Sequence, residues 1–227
     1  MASEFRYRSP PIDKNTLAIF VSQSGETADT LAALRYCRGK VEKIISIVNV
    51  PESSIARESD MVIPILAGPE ISVASTKGFT NQLAILAILS LKTALERKQV
   101  SHHGLQKYLA EIRHIPSCQN NALDMAPLIK KISLKLSKVS DILFIGRGPM
   151  YPLALEGALK LKEISYIHAE GYASGELKHG PIALVDNKVP VVVIAPNDEL
   201  FEKTVSNMHE VIALSLIHIS EPTRPSQ

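Results

Sequence analysis

Short apolar segments alternate along this chain with longer segments whose apolar positions recur at helical spacing. The short segments predict buried strands, at residues 17–21, 44–48, 61–65, 141–145 and 189–195. The longer segments predict helices, at residues 27–38, 72–96, 152–164 and 202–214. Because the strands lack a polar face and alternate with helices, the pattern predicts an α/β fold with parallel sheets that are covered on both faces.

The strand–helix alternation occurs twice, which indicates two domains of one design. We predict a first domain over residues 1–99, a helical connection over residues 100–132 that Pro116 punctuates, and a second domain over residues 133–214. About three strands precede the long helix, where a typical sheet has ~5–6. We therefore expect the first domain to lack its N-terminal part and the second its C-terminal part. Residues 215–227 break the preceding helical pattern and are expected to be a non-native tail.

Composition narrows the classes of partner. Of the 227 residues, 45% are hydrophobic, which is enough for a core, and the formal net charge is only +2. This balance gives no reason to expect nucleic acid or an anionic membrane as a partner. The longest apolar run, residues 83–91, contains Ser90 and is too short to span a bilayer. The sequence therefore predicts no nucleic-acid contact and no membrane contact.

The positions of cysteine and histidine indicate a cytoplasmic protein without a metal. Cys37 and Cys118 lie far apart in helix-like segments, so we expect both thiols to be reduced. The seven histidines show no metal-ligand spacing, and the adjacent His102 and His103 cannot converge from one helix face. We predict neither a metal nor another cofactor.

The loop at residues 22–27, with the sequence SQSGET, is the first candidate for chemistry. It joins a predicted strand to a predicted helix, so free backbone N–H groups and the positive end of the helix dipole can face an anion there. Ser22, Ser24 and Thr27 can add hydroxyl donors, and we expect Glu26 to point away from the anion. An ordinary helix start, capped by Ser24 or Thr27, fits the same residues, so both interpretations stay open here.

The second half carries charged candidates instead of hydroxyls. Its loop at residues 195–198, APND, has no hydroxyl and carries an acid, so we expect only one phosphate loop in the chain. Glu156, Lys160 and Glu163 are spaced to share one helix face, either as a solvated stripe or as groups that transfer protons. His179 stands before Gly-Pro, where it fits either a general base or a residue that caps a helix end.

Five motifs together carry a resemblance to a known family. They are SQSGETADT at 22–30, VASTK at 73–77, GRG at 146–148, LEGALKLKEI at 155–164 and GELKHGP at 175–181. In order and over roughly residues 3–214, they resemble the glutamine–fructose-6-phosphate aminotransferases. The resemblance implies two flavodoxin-like sugar-isomerase (SIS) domains, a homodimer, a cytoplasmic location and a glutaminase domain upstream. It implies an isomerizing transaminase that makes glucosamine 6-phosphate and glutamate from fructose 6-phosphate and glutamine.

The resemblance also implies a role for each matching residue. Phosphate-binding positions of the family match Ser22, Gln23, Ser24 and Thr27, and positions that line the sugar match Val73 and Ser75. Glu163 matches the base that moves a proton between C1 and C2. His179 matches the histidine that opens the sugar ring and comes from the neighbouring subunit. Lys160 matches a lysine near the reacting carbons.

Three features of the family have no match in this chain. They are the glutaminase domain, a second loop of the phosphate site, and the lysine that forms an imine with the open sugar. We therefore expect this chain to be a fragment that is inactive in synthesis on its own. Two alternatives stay open: a deglycase or isomerase that uses the same two domains without a glutaminase, and a non-catalytic module that binds phosphosugars.

Overall fold

Each half of the chain forms its own three-stranded parallel sheet, as the alternating pattern predicts. The computed structural model describes residues 1–214, and it divides into a unit of Met1–Ile115 and a unit that begins at Pro116. This division falls inside the predicted helical connection, and the exact domain limits stay a prediction. The expected non-native tail, residues 215–227, lies outside the described residues.

The first unit packs helices around a sheet of strand order β1-β2-β3. Its elements are α1 (Ala2–Phe5), β1 (Leu17–Ser22), α2 (Ala28–Cys37), β2 (Lys43–Val48), α3 (Ser54–Arg57), β3 (Met61–Pro64) and α4 (Lys77–Glu96). Leu34 from α2, Ile44 from β2 and Ile55 from α3 are buried together in its core. Pro64 ends β3 at the edge of the sheet, where its missing N–H costs no ladder hydrogen bond.

The second unit has the strand order β5-β4-β6, with all pairs parallel. Its elements are α6 (Ala126–Leu136), β4 (Asp141–Gly146), α7 (Met150–Ser165), β5 (His168–Ala173), β6 (Val191–Ile194) and α8 (Phe201–Leu214), and α5 (His102–Leu123) runs across the boundary between the units. Leu143 and Ile145 of β4 pack with Leu177 in its core. The sheet places the ends of β4 and β5 beside each other, at Gly146 and Ala173.

Two helix limits differ from the prediction. Helix α4 begins at Lys77 and not at residue 72, because the amide of Thr76 donates to the side chain of Glu70 and the preceding residues form a loop. Pro116 lies inside α5 and does not end it. A proline removes one helical hydrogen bond and bends the helix, and the remaining hydrogen bonds on either side can continue it.

Strand β5 is absent from the prediction. Its polar residues His168, Glu170 and Tyr172 alternate with Ala169 and Gly171, so it lacks the continuous apolar run by which the other strands are recognised. It lies at an edge of the sheet, where only one neighbouring strand, β4, pairs with it in the described part of the chain. A half-covered strand of this kind tolerates polar and small residues.

Helix α4 is more exposed than its sequence suggests. Within residues 1–214 it is the one helix long and apolar enough, by length and composition, to cross a membrane, with a mean hydropathy of 1.3. The predicted run of residues 83–91 is shorter than this helix. A single helix of this kind is weak evidence for a membrane span, because the core helix of a soluble protein passes the same test of length and composition. Leu83 and Ile88 are each 46% exposed, so its apolar face is largely uncovered.

Candidate active site

The loop between β1 and α2 is organised by its own hydroxyl groups. The Oγ atom of Ser22 accepts a hydrogen bond from the amide of Gly25 at 3.1 Å and lies 3.1 Å from Oγ1 of Thr27. The amide of Glu26 donates to Oγ of Ser24 at 3.2 Å. Ser22 and Gly25 are buried, whereas Ser24 is exposed. The predicted phosphate-binding serines and Thr27 therefore lie together at one strand end.

The same loop is attached to the elements beneath it. The amide of Ile55 donates to the carbonyl oxygen of Gly25 at 3.0 Å, and the amide of Asn49 donates to that of Gln23 at 3.0 Å. The amide of Ser54 donates to Oε1 of Glu26 at 2.7 Å, and this hydrogen bond lowers the pKa of the carboxyl. The carboxylate of Glu26 therefore faces the start of α3, where it accepts the amide of Ser54.

The amino end of α2 is open. The amide of Leu31 makes the first backbone hydrogen bond of the helix, to Thr27 at 2.9 Å. In the part of the chain that the structure describes, the amides of Ala28, Asp29 and Thr30 have no backbone partner. Thr27 is the N-cap residue, yet its side chain makes no capping hydrogen bond. Unpaired amides at the positive end of a helix dipole favour an anion.

The two predicted sugar-lining residues lie in the loop between β3 and α4. Val73 is 87% exposed, and Ser75 is half-buried with its hydroxyl donating to Oε2 of Glu70 at 3.3 Å. The side chain of Asn49 also holds the start of this loop, since it accepts from the amide of Ala67 at 2.9 Å. Neither Glu70 nor Asn49 was predicted. Asn49 lies 18 residues before Ala67, and Glu70, although only five to eight residues from its partners, lies in a loop without a regular repeat.

In the second unit, Lys160 links two carboxylates on one face of α7. Its Nζ atom lies 2.6 Å from Oε2 of Glu163 and 3.6 Å from Oε1 of Glu156. Burial lowers the pKa of Lys160, but the hydrogen bond to Glu163 and the charges of both glutamates raise it by more. The net result is a pKa above the usual value. The three side chains are each about one-quarter exposed, so the stripe is not a fully solvated face.

His179 lies on an exposed turn that follows β5. Its amide donates to the carbonyl oxygen of Glu176 at 3.0 Å, and Gly180 after it has a φ of +131°. The neighbouring Lys178 pairs with Glu210 of α8 at 2.9 Å, which attaches the turn to that helix. His179 therefore lies at the surface, on a turn that the ion pair of Lys178 with Glu210 attaches to α8.

An arginine network near the end of β4 escaped the sequence analysis. A guanidinium N–H of Arg147 donates to Oδ1 of Asn207 at 2.7 Å, and Nδ2 of Asn207 donates to Glu210 at 3.3 Å. Arg147 and Asn207 are 60 residues apart, so no local pattern could have predicted the contact. Through Glu210 and Lys178 the network connects the GRG turn to the segment that carries His179.

The described residues contain no group of three or more histidine, cysteine, aspartate or glutamate side chains that could hold a metal ion. Both cysteines are free, with Cys37 buried and Cys118 exposed. The candidate groups of the first unit are hydroxyls and backbone amides, and those of the second unit are carboxylates, an ammonium group and an imidazole.

Known proteins resemble the chain at three levels. The model of the family described as SIS domain matches residues 1–92 and 135–213. The glutamine–fructose-6-phosphate aminotransferase (isomerizing) of Mesorhizobium japonicum is 57% identical over 213 residues, which are 94% of this chain and 35% of that protein. The protein of the same name from Brucella abortus is 59% identical over the same shares of the two chains. The chain thus spans about a third of the length of these curated relatives.

Solved structures give the same result. The C-terminal domain of glucosamine-fructose-6-phosphate aminotransferase from Francisella tularensis superposes with a TM-score of 0.91 at 50% identity, over 93% of this chain and 60% of that chain. The tagatose-6-phosphate ketose/aldose isomerase of Escherichia coli superposes with a TM-score of 0.70 at 18% identity, over 94% of this chain and 59% of that chain. The second likeness is one of fold alone.

Proposed function

The chain belongs to the SIS domain family, and from this we propose that it is the sugar-isomerase part of an enzyme that makes glucosamine 6-phosphate and glutamate from fructose 6-phosphate and glutamine. Its relatives with more than half of their aligned residues identical carry the name of this aminotransferase. The alternatives without a glutaminase have no relative of comparable identity among the proteins compared above.

One structural observation supports the proposal: the loop at residues 22–27 lies at the open amino end of α2. A hexose 6-phosphate needs an anion site, and unpaired amides with nearby hydroxyls provide one without a cation. Ser22, Ser24 and Thr27 supply the hydroxyls, and Gln23 has its backbone carbonyl tied to Asn49. Such a site holds its ligand by many modest hydrogen bonds, which suits a sugar phosphate that must leave again.

The second unit supplies the groups for chemistry. Conversion of a ketose to an aldose needs a base that takes a proton from one carbon and returns it at the next, and Glu163 is assigned that role. Lys160, at 2.6 Å, holds this carboxylate in a fixed orientation and brings a positive charge beside it. His179, on its exposed turn, is assigned to opening the sugar ring. Val73 and Ser75 of the first unit line the sugar.

We further propose a homodimer, a glutaminase domain elsewhere in the complete protein, and a cytoplasmic location. The apolar face of α4 that is uncovered in one copy supports a partner surface. The curated relatives are about three times as long as this chain, which leaves room for a further domain. No nucleic-acid partner, membrane, metal or other cofactor is part of the proposal.

The first test is calorimetric titration of the chain with fructose 6-phosphate, glucosamine 6-phosphate and inorganic phosphate. We expect Ser24→Ala to weaken all three ligands by about fivefold, because each shares the phosphate and loses one hydroxyl donor. Ser101→Ala is the matched control, since Ser101 also accepts a local amide, that of Gly104, at 3.1 Å. Tight binding that Ser24→Ala leaves unchanged would overturn the assignment of the loop.

A second test separates catalysis from binding alone. In heavy water, proton transfer between C1 and C2 introduces deuterium into a bound hexose phosphate, and nuclear magnetic resonance detects the exchange. We expect exchange that depends on Glu163 in the complete enzyme and disappears in Glu163→Gln. Binding without exchange in the complete enzyme would support the non-catalytic phosphosugar module instead.

A further inference from the structure

The loop between β3 and α4 is closed by one carboxylate, that of Glu70. Its Oε1 atom accepts from the amide of Thr76 at 3.1 Å, and its Oε2 atom accepts from the amide of Gly78 at 3.0 Å. Oε2 also accepts from the hydroxyl of Ser75 at 3.3 Å. The Nζ atom of Lys77 donates to the carbonyl oxygen of Pro69 at 2.6 Å and closes the loop a second time.

This arrangement uses the amino end of α4 for an internal carboxylate. The amide of Thr76 has the largest effect in lowering the pKa of Glu70, with further contributions from Gly78, Ser75 and Lys77 against a desolvation cost. Glu70 is therefore ionised at neutral pH and occupies the positive end of the helix dipole. The amino end of α2, in contrast, has no such carboxylate, because Glu26 is bonded to Ser54.

The closed loop meets the phosphate loop at Gly78. A Cβ atom placed on Gly78 would lie 2.8 Å from Oε2 of Glu70 and 2.9 Å from Oγ of Ser75. It would also lie 3.2 Å from Cγ of Gln23, which belongs to the phosphate loop. A Cβ atom there would displace Oε2 of Glu70 and Oγ of Ser75, so the glycine lets the bonded pair of Glu70 and Ser75 lie beside Gln23.

We propose that Glu70 is a positioning residue, which holds Val73 and Ser75 at the distance from the phosphate loop that a hexose phosphate requires. The inference rests on the proposed function, because it concerns the sugar-lining loop of that site. Glu70 acts through Ser75 and the two amides, and it is not assigned any contact with the substrate. Loss of the carboxylate releases the sugar-lining loop, while the phosphate loop keeps its own anchors at Ile55 and Ser54.

The role predicts a difference between two ligands. Calorimetry should show that Glu70→Ala weakens fructose 6-phosphate by about tenfold, since two or more hydrogen bonds that order the loop are lost. Inorganic phosphate, which reaches only the loop at residues 22–27, should keep its affinity within about twofold. Glu70→Gln keeps one carbonyl acceptor of the same length, so it should rescue part of the loss. Glu111→Ala in α5 is the control at an exposed glutamate.

The outcomes separate this inference from the proposed function. Equal weakening of both ligands, or no weakening of either, overturns the positioning role. If the unsubstituted chain binds neither ligand, the proposed function fails, and amide hydrogen exchange then decides the role of Glu70 by itself. Protection of the Thr76 and Gly78 amides that disappears in Glu70→Ala and returns in part in Glu70→Gln supports it. Protection that survives in Glu70→Ala overturns it.

Discussion

The two units place different chemistry at the same point of the same design. After β1, the amides of Ala28 and Asp29 at the start of α2 have no backbone partner within residues 1–214 and lie near hydroxyl groups. After β4, the amide of Met150 donates to Arg147 at 3.0 Å and that of Tyr151 to Gly148 at 3.1 Å. The strand-to-helix connection thus offers amides to an anion in the first unit and uses them internally in the second.

The distribution of charge follows the same division. The loop of the first unit offers neutral donors, and its one carboxylate, Glu26, is turned to Ser54. The second unit instead gathers Glu156, Lys160 and Glu163 on one helix face. A duplicated strand–helix unit can therefore carry different chemical groups in its two copies, because the strand ends provide a position and the side chains provide the chemistry.

The largest expected effect tests whether the two cores are independent. Ile47 in the first unit and Ile145 in the second are both fully buried, so replacing either with alanine should cost about 2–5 kcal/mol of the free energy of unfolding. Inorganic phosphate should raise the thermal transition that Ile47→Ala lowers and should not raise the one that Ile145→Ala lowers. Calorimetric scans check this. If both substitutions lower one shared thermal transition, the two units do not unfold separately, and the comparison between them is wrong.

The next effect concerns the backbone of the phosphate loop. Gly25 and Gly39 have φ values of +69° and +75°, but a Cβ atom on Gly25 would lie 1.9 Å from Oγ of Ser53, and one on Gly39 would meet nothing within 4 Å. We expect Gly39→Ala to cost about 1 kcal/mol and Gly25→Ala about 2–3 kcal/mol. Denaturant titration measures both. Equal costs for the two alanines would contradict the close packing of the loop on Ser53.

A smaller effect is expected at the charged face of the second unit. Lys160→Met leaves Glu156 and Glu163 without their cation and should cost about 1 kcal/mol at pH 7. Denaturant titration at pH 7 measures this cost, and phosphate binding by the first unit should be unchanged. Lys92→Met, which removes an exposed pair with Glu96 on α4, is the control and should change little.

The raised pKa of Lys160 decides how its contribution to the stability of the fold changes at alkaline pH. Its stabilisation should be fully present below about pH 10.4, the ordinary lysine pKa, and should be lost as the pH rises through the higher folded value. Lys160→Met should remove this part of the alkaline stability loss. An alkaline profile identical in the two proteins would contradict the ion pairs on α7.

The smallest expected effect concerns Glu26, the carboxylate of the loop at residues 22–27, and its hydrogen bond with Ser54. The lowered pKa of Glu26 means that its stabilisation is present above about pH 4.3 and is lost as the pH falls through the lower folded value. Glu26→Gln should flatten this part of the acid profile and reduce the protection of the Ser54 amide from hydrogen exchange. Glu111→Gln, at an exposed position of α5, should do neither.

Much of the fold followed from local patterns. The strands of continuous apolar residues and the helices α2, α7 and α8 could be predicted because burial on both faces leaves a clear record in the sequence. Strand β5 and the short helix α3 could not, since one alternates polar with small residues and the other has only four residues. The start of α4 was also misplaced, because Glu70 accepts the amides of Thr76 and Gly78 and the residues between Glu70 and Thr76 form a loop.

The candidate site also contains features that the local sequence predicts and features that it does not. The spacing of Glu156, Lys160 and Glu163 places them on one helix face whatever surrounds the helix, and the structure confirms the contact among them. The SQSGET loop is contiguous, so its position at a strand end was also predictable. Asn49 and the pair of Arg147 with Asn207 join segments that are separate in the chain, and nothing in the local sequence indicates them. Glu70 is only five to eight residues from its partners, but it lies in a loop without helical or strand periodicity.

The sequence by itself determined the α/β class, the repeated strand–helix design and the residue types at both strand ends, because these depend on neighbours within a few positions. Only the tertiary structure decided which helix end is open to an anion. That outcome depends on whether the first amides of α2 and α7 find partners and on where the carboxylates of Glu26 and Glu70 are turned. The hydrogen bond between Ser54 and Glu26 joins distant segments, whereas Glu70 and the first amides of α7 have partners within eight residues. Each amide and carboxylate takes the partner that folding places within reach.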